Sequence, residues 1–203
     1  MTQNTEVRSN VESLELYSDL YPFRLSLRIK NFESEAEYKK FIRNVEALVR
    51  RSIEYRLWTS YIKDILQVNC CMITQERMDE VTIDVHHHVP SLYTLVKALV
   101  NEKIEKEQEF STFDIALKTI EMHYANRVGY IVLLKSMHEK FHNGFLGIPV
   151  ELIRGNYNWF MDNYNGYLEE EDIERINYLL SINVSNCQWS RDEYPGLEEL
   201  GGR

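Results

Sequence analysis

Cysteine is scarce in this chain, and so are proline and glycine. Three cysteines in 203 residues, two of them adjacent at Cys70 and Cys71, exclude a disulfide framework and point to a reducing cytoplasm. Four prolines and eight glycines leave no linker rich in Pro, Gly or Ser, and no internal repeat is visible. No apolar run approaches the roughly 20 residues needed to span a bilayer. The opening residues, MTQNTEVRSNVESLEL, lack the basic and apolar regions of a signal peptide, so no membrane partner is expected. A net positive charge is lacking too. The formal charge of −9 argues against nonspecific coating of nucleic acid. What remains is a chain of ordinary hydrophobic content, 44%, long enough to bury the core of one domain.

The acidity is uneven. Residues 38–63 hold seven Lys or Arg against two Glu, whereas residues 162–203 hold ten acidic side chains against three Arg. Lys39, Lys40, Arg43, Arg50, Arg51 and Arg56 therefore mark a candidate polyanion-contacting region, because clustered cations attract phosphates even on an acidic protein. The plainer reading of the same residues is the solvated face of a helix.

Periodicity gives a coarse map. FRLSLRI alternates with period two, which predicts a strand over Phe23–Ile29. Ser34 with Glu37 reads as a capping box opening a helix to about Arg51. A second amphipathic helix follows, with Ile53, Leu57, Tyr61, Ile62, Ile65 and Leu66 on its expected inward face. NCCMIT and VTIDV, separated by polar residues, predict a hairpin. Pro90 and Ser91 open a helix carrying Leu92, Leu95, Val96, Leu99 and Val100 inward. Ser111 with Asp114 caps another, whose expected stripe is Phe113, Ala116, Leu117, Ile120 and Tyr124. GYIVLL reads as a strand running at once into the helical KSMHEKFHN, ended by Gly144. The whole is an α+β, helix-rich single domain.

All six histidines lie between His86 and His142, and three are consecutive at His86, His87 and His88. Clustered imidazoles repel when protonated and cost desolvation when buried, so packing alone rarely gathers them. His138 and His142 stand four apart, the spacing at which a helix offers two imidazoles to one metal ion. The histidines at the preceding strand end supply the third ligand. Three imidazoles leave open coordination positions, as catalytic sites do.

Two segments carry a family resemblance. DVHHHVP, residues 84–90, resembles the first motif of the HNH, or ββα-metal, endonucleases, and YIVLLKSMHEKFHNG, residues 130–144, is similar to their closing motif. The chain as a whole resembles proteins of large tailed bacteriophages. The resemblance implies that His86, His138 and His142 bind one divalent metal ion (Zn, Mg, Mn or Ni). It implies that His87 is the general base activating water, brought toward it by the turn at Pro90, and that Asp84 orients an imidazole. It also implies nucleic acid as substrate, DNA ahead of RNA. The chain departs from the family at three places. The usual Cys pair falls on Leu134 and Met137, the usual bracing Asn falls on Gly129, and residues 91–127 insert two helices where the family has a short loop. His88 replaces an aliphatic residue and has no implied role.

The expected organisation is thus an N-terminal strand and basic helices over residues 1–68, then an HNH-like ββα-metal core over 69–145 interrupted by 91–127. A helical segment with an acidic tail occupies 146–203. His123 reads as a core or capping imidazole, Cys70 and Cys71 as small core residues, and the aromatic run GNYNWFMDNYNGY as packing. D-V-H-H-H also fits barrel-type metallohydrolases, but only 115 residues follow His88, too few for that barrel. The leading expectation is a metal-dependent nuclease in the cytoplasm of an infected bacterium. The alternative is a non-catalytic relative that binds nucleic acid or a phage or host protein.

Overall fold

The computed structural model describes residues 32–77, 81–144 and 146–187. The strand expected at Phe23–Ile29 and the tail from Ser190 lie outside them. Helix α1 (Glu35–Arg51) opens at Ser34, whose hydroxyl accepts the Glu37 N–H. Glu35 and Glu37 in its first turn and Arg50 and Arg51 in its last complement the helix dipole, and Phe41, Ile42, Val45, Leu48 and Val49 face inward. Ser52 ends it and caps helix α2 (Ile53–Ser60), which continues as one π-helical turn, Tyr61–Ile65.

Of the face expected to be buried on α2, only Ile62 goes inward; the rest of it is exposed. Tyr55, Trp58 and Ile62 go inward, while Ile53, Leu57, Tyr61, Ile65 and Leu66 remain at the surface. Apolar residues occupy both sides of this helix, and the aromatic side wins because it packs on two buried imidazoles, His87 and His123. Helix α3 (Leu92–Glu105) buries Leu92, Leu95, Val96, Leu99 and Val100 as expected. Helix α4 (Thr112–Tyr124) has the expected Ser111–Asp114 capping box, but of the expected stripe only Ala116 is buried and Ile120 half-buried. Ile115, Ala116, Thr119, Met122 and His123 are buried, and Phe113, Leu117 and Tyr124 are exposed.

The sheet has two strands among the described residues. β1 (Ile83–His87) pairs antiparallel with β2 (Tyr130–Leu134), Ile83 opposite Leu134 and His87 opposite Tyr130. The expected hairpin between NCCMIT and VTIDV is therefore not what forms. A single bridge between Cys70 and Arg77 closes that turn, and the Met72 N–H donates to Val132 O. All five residues of β2 are buried, so β2 offers β1 a far larger apolar partner than the short local turn does.

Helices α3 and α4 fill the long connection between the strands, and helix α5 (Lys135–His142) leaves β2 without a loop. The order strand, antiparallel strand, helix is the ββα arrangement, with α5 packed on both strands. Gly129 fixes the end of β1. It accepts the His88 N–H and donates to Val89 O, and any Cβ there would stand 2.2 Å from that oxygen. Helix α6 (Tyr157–Tyr164) buries Phe160 and Tyr164, so the aromatic run is largely packing, as expected. Helix α7 (Glu170–Ser181) is tied to α3 by buried Lys97, whose ammonium donates to Glu169 at 2.6 Å and Asp172 at 2.7 Å. A main core running from Ile42 through Ile131 to Phe160 joins helices α1 to α6 and both strands, and Ile176 of α7 packs with Val89 and Ile153 in a smaller cluster. No helix among the described residues is long and apolar enough to cross a membrane.

Candidate metal centre

Strand alternation decides which histidine goes where. On β1, His86 points toward α5 and His87 toward α2 and α4, because successive side chains of a strand leave opposite faces. His138 and His142, one turn apart on α5, stand with their Nε2 atoms 2.9 Å from each other. The His86 ring centroid lies 4.4 Å from that of His138 and 5.1 Å from that of His142. One nitrogen from each ring falls within 4.8 Å of the others.

The donor set fits a divalent ion. Tetrahedral zinc with bonds of about 2.0–2.1 Å places its ligand nitrogens about 3.3 Å apart, so small side-chain rotations bring the three to that spacing. His86 is 8% exposed and its Nε2 has no hydrogen-bond partner, a costly arrangement for an imidazole with no further ligand. Burial, reinforced by His138, His88 and His142, pushes His86 down to about 2, so the ring is neutral and its lone pair is available. Burial and the same neighbour His138, with Arg175 and Arg50, also lower His142. His138 is half-buried and His142 exposed, leaving the solvent side of the trio open. Asp84 lies beside it, its Oδ2 3.7 Å from His138 Nδ1, where a carboxylate can orient the ring.

His87 is not brought to this trio. Its Nε2 lies 2.6 Å from His123 Nε2, and its ring is stacked on Trp58 and Tyr55 with centroids 5.7 and 5.8 Å away. The tautomers follow from the partners. Thr119 O can only accept, so the His123 Nδ1 carries the proton across that 2.6 Å contact. His123 Nε2 is then an acceptor and His87 Nε2 the donor, which leaves His87 Nδ1 buried without a hydrogen-bond partner. Burial, then the His123 neighbour, holds His87 well below the ordinary imidazole range. The turn at Pro90 does not swing His87 toward the His86–His138–His142 trio; the aromatic wall and His123 hold it on the other face.

His88 returns to the side of His86. It is 2% exposed, its centroid is 6.2 Å from His86 and 5.1 Å from Phe141, and neither ring nitrogen has a hydrogen-bond partner. A cavity of about 50 Å³ lies there, lined in part by His86, His88, His142, Asp172 and Arg175. His123 is a core imidazole, as expected, but its bond to His87 has no signal in the spacing of the two residues.

Lys39, Lys40, Arg43, Arg50, Arg51 and Arg56 are all exposed on α1 and α2. Lys39 pairs with Glu35 and Arg50 with Glu46, so part of this basic surface is internally balanced. Cys71 is fully buried in the core, as expected, whereas Cys70 is half-buried outside it, its thiol donating to Gln75 Oε1.

Fold and site together define a helix-rich α+β protein with a three-imidazole centre on a ββα unit, and comparison with known families places it among phage proteins. The chain belongs to the bacteriophage G278-like virion protein family, whose model matches residues 2–193. No curated protein and no solved structure matches it. The family is a virion one, and the resemblance to HNH endonucleases rests on the motif residues alone.

Proposed function

We propose that this virion protein holds one divalent metal ion through His86, His138 and His142 and uses it, as HNH-like enzymes do, to hydrolyse phosphodiester bonds of nucleic acid. The observation that carries the reading is the convergence of a strand imidazole and an i, i+4 helix pair, their nitrogens within 4.8 Å, on a unit of ββα order. A divalent ion held by His86, His138 and His142 would supply Lewis-acid polarisation of a phosphate oxygen and of the attacking water. The chain's own residues do the rest. Asp84 orients His138, and His88, on the metal side of β1, takes the base position that the motif alone gives to His87. Arg50 and its basic neighbours on α1 and α2 draw the polyanion in.

A specific observation favours a second reading. His87 is walled in by Tyr55, Trp58 and His123, so the imidazole that the family motif uses for chemistry is committed to packing. On that reading the metal, if bound, only pins α5 to β1 within a structural component of the virion. A plasmid-nicking assay with and without divalent ions separates the two. The enzyme reading expects cleavage by the full chain that disappears in His138→Ala with His142→Ala. Metal binding without cleavage of DNA or RNA leaves the structural reading standing.

A further inference from the structure

Helices α2 and α4 present two apolar stripes to the surface side by side. On α2 and its π-helical turn, Ile53, Leu57, Tyr61 and Ile65 recur every fourth residue, and with Leu66 they are 46–66% exposed. On α4, Phe113, Leu117 and Tyr124 are 53–57% exposed. The two helices are tied together by the Tyr124 hydroxyl, which donates to Glu54 O at 3.0 Å. Between them opens a groove of about 730 Å³ with Trp58, Ile62 and Tyr130 in its floor and Leu57, Tyr61 and Tyr124 along its rims. This face lies on the side of β1 away from the His86 trio. Among the described residues nothing covers it.

Monomeric proteins rarely expose a contiguous apolar patch of more than a few hundred Å². A half-exposed aromatic or large aliphatic side chain presents on the order of 100 Å². The five on α2 and its π-helical turn, with Tyr124 at the groove's rim, come to about 600 Å², most of the roughly 800 Å² that each partner contributes to a standard interface. The shape narrows the choice of occupant. A two-fold symmetric contact uses one patch on both subunits, so that patch must carry both the knob and the hole. Here the groove is the hole, and Ile53 and Ile65, exposed on the same four-residue stripe of α2 as the rim residues Leu57 and Tyr61, are the knobs. A ridge at four-residue spacing is also able to interlock with a copy of itself.

We infer that the α2–α4 face is a self-association surface, and that its occupant is the same face of a second copy of this chain. The contact is independent of the metal centre and of any nuclease activity, since the two lie on opposite sides of β1.

Sedimentation velocity on the full chain, from roughly 1 to 100 µM, the range in which a standard interface is populated, tests this. The expected result is a concentration-dependent dimer. Ile53→Glu and Ile65→Glu each place a charge on a knob that is solvent-exposed in the monomer. They should raise the dimer dissociation constant at least about tenfold, with circular dichroism and melting temperature unchanged. Tyr178→Glu, equally exposed but on α7, should leave the dimer intact. A monomer throughout the range overturns the proposal and hands the groove to another segment or another virion chain. A dimer that both knob variants leave unaffected, or that Tyr178→Glu breaks as strongly, places the contact elsewhere and overturns it equally.

Discussion

His86 and His87 are consecutive, yet their imidazoles belong to different centres on opposite faces of one strand. His86 lies 4.4 Å, ring to ring, from His138, while His87 bonds His123 at 2.6 Å in an aromatic cage. The two should therefore separate cleanly on mutation. His87→Ala opens a cavity between Tyr55 and Trp58 and strands His123 Nε2, which should cost about 2–4 kcal/mol in urea unfolding. Metal affinity should stay within about threefold, since the His87 ring does not touch the trio. His86→Ala should abolish metal binding. A His87→Ala protein of unchanged stability that has lost metal would reverse the assignment.

Acid should loosen the protein from this same face. Burial, against the pull of the Thr119 hydrogen bond, pushes His123 down to about 4, whereas an unfolded histidine titrates near about 6.5. Between those values the unfolded chain takes up a proton that the folded one refuses. Stability is thus fully present above about 6.5 and falls as pH drops toward about 4, by about 1.4 kcal/mol per pH unit for this group. His123→Asn, which cannot titrate and keeps an acceptor for His87, should flatten the fall by about one proton. The melting temperature of both proteins across that window measures it, and identical slopes would contradict the account.

Nucleic-acid affinity, where present, should depend steeply on salt. Replacing Arg50, Arg51 and Arg56 together with Gln should lower the magnitude of the slope of log K against log salt by about 2–3, nearly one for each phosphate left without its arginine. An unchanged slope would reduce these residues to a solvated face.

The sequence made some of this legible, and the boundary has physical reasons. Helix α1 carries its own start signal in Ser34 and a one-sided apolar pattern, so both its ends and its inward face could be read. The trio could be read because i, i+4 histidines on a helix and a histidine strand end are local patterns. Helices α2 and α4 have apolar residues on both sides, and periodicity does not say which side meets the core. That choice is made by His87 and His123, which need Tyr55, Trp58 and Thr119 around them. The pairing of β1 with β2 across two helices is equally non-local; composition favoured the nearer NCCMIT segment, which supplies only one backbone bond to β2, from Met72.

The loop that aims the histidines should be intolerant of even one methyl group. Gly129→Ala puts a Cβ 2.2 Å from Val89 O and 3.1 Å from Tyr157 Cβ, so either the His88–Val89 segment or the start of β2 must move. The expected cost is about 1–3 kcal/mol, together with weaker metal binding through the displaced strand end. Equilibrium unfolding and metal titration of the variant check both, and a protein as stable as wild type would show that the close approach is absent in solution.

Metal content of the purified full chain tests the central claim most directly. After equilibration with Zn²⁺, Ni²⁺ or Mn²⁺ and removal of excess ion, elemental analysis should find about one ion per chain, bound by three imidazoles in the manner of borderline metals. His138→Ala with His142→Ala, both at the surface end of the site, should fold normally and bind none. A wild-type chain that holds no ion, or a double variant that holds as much as wild type, would contradict the account.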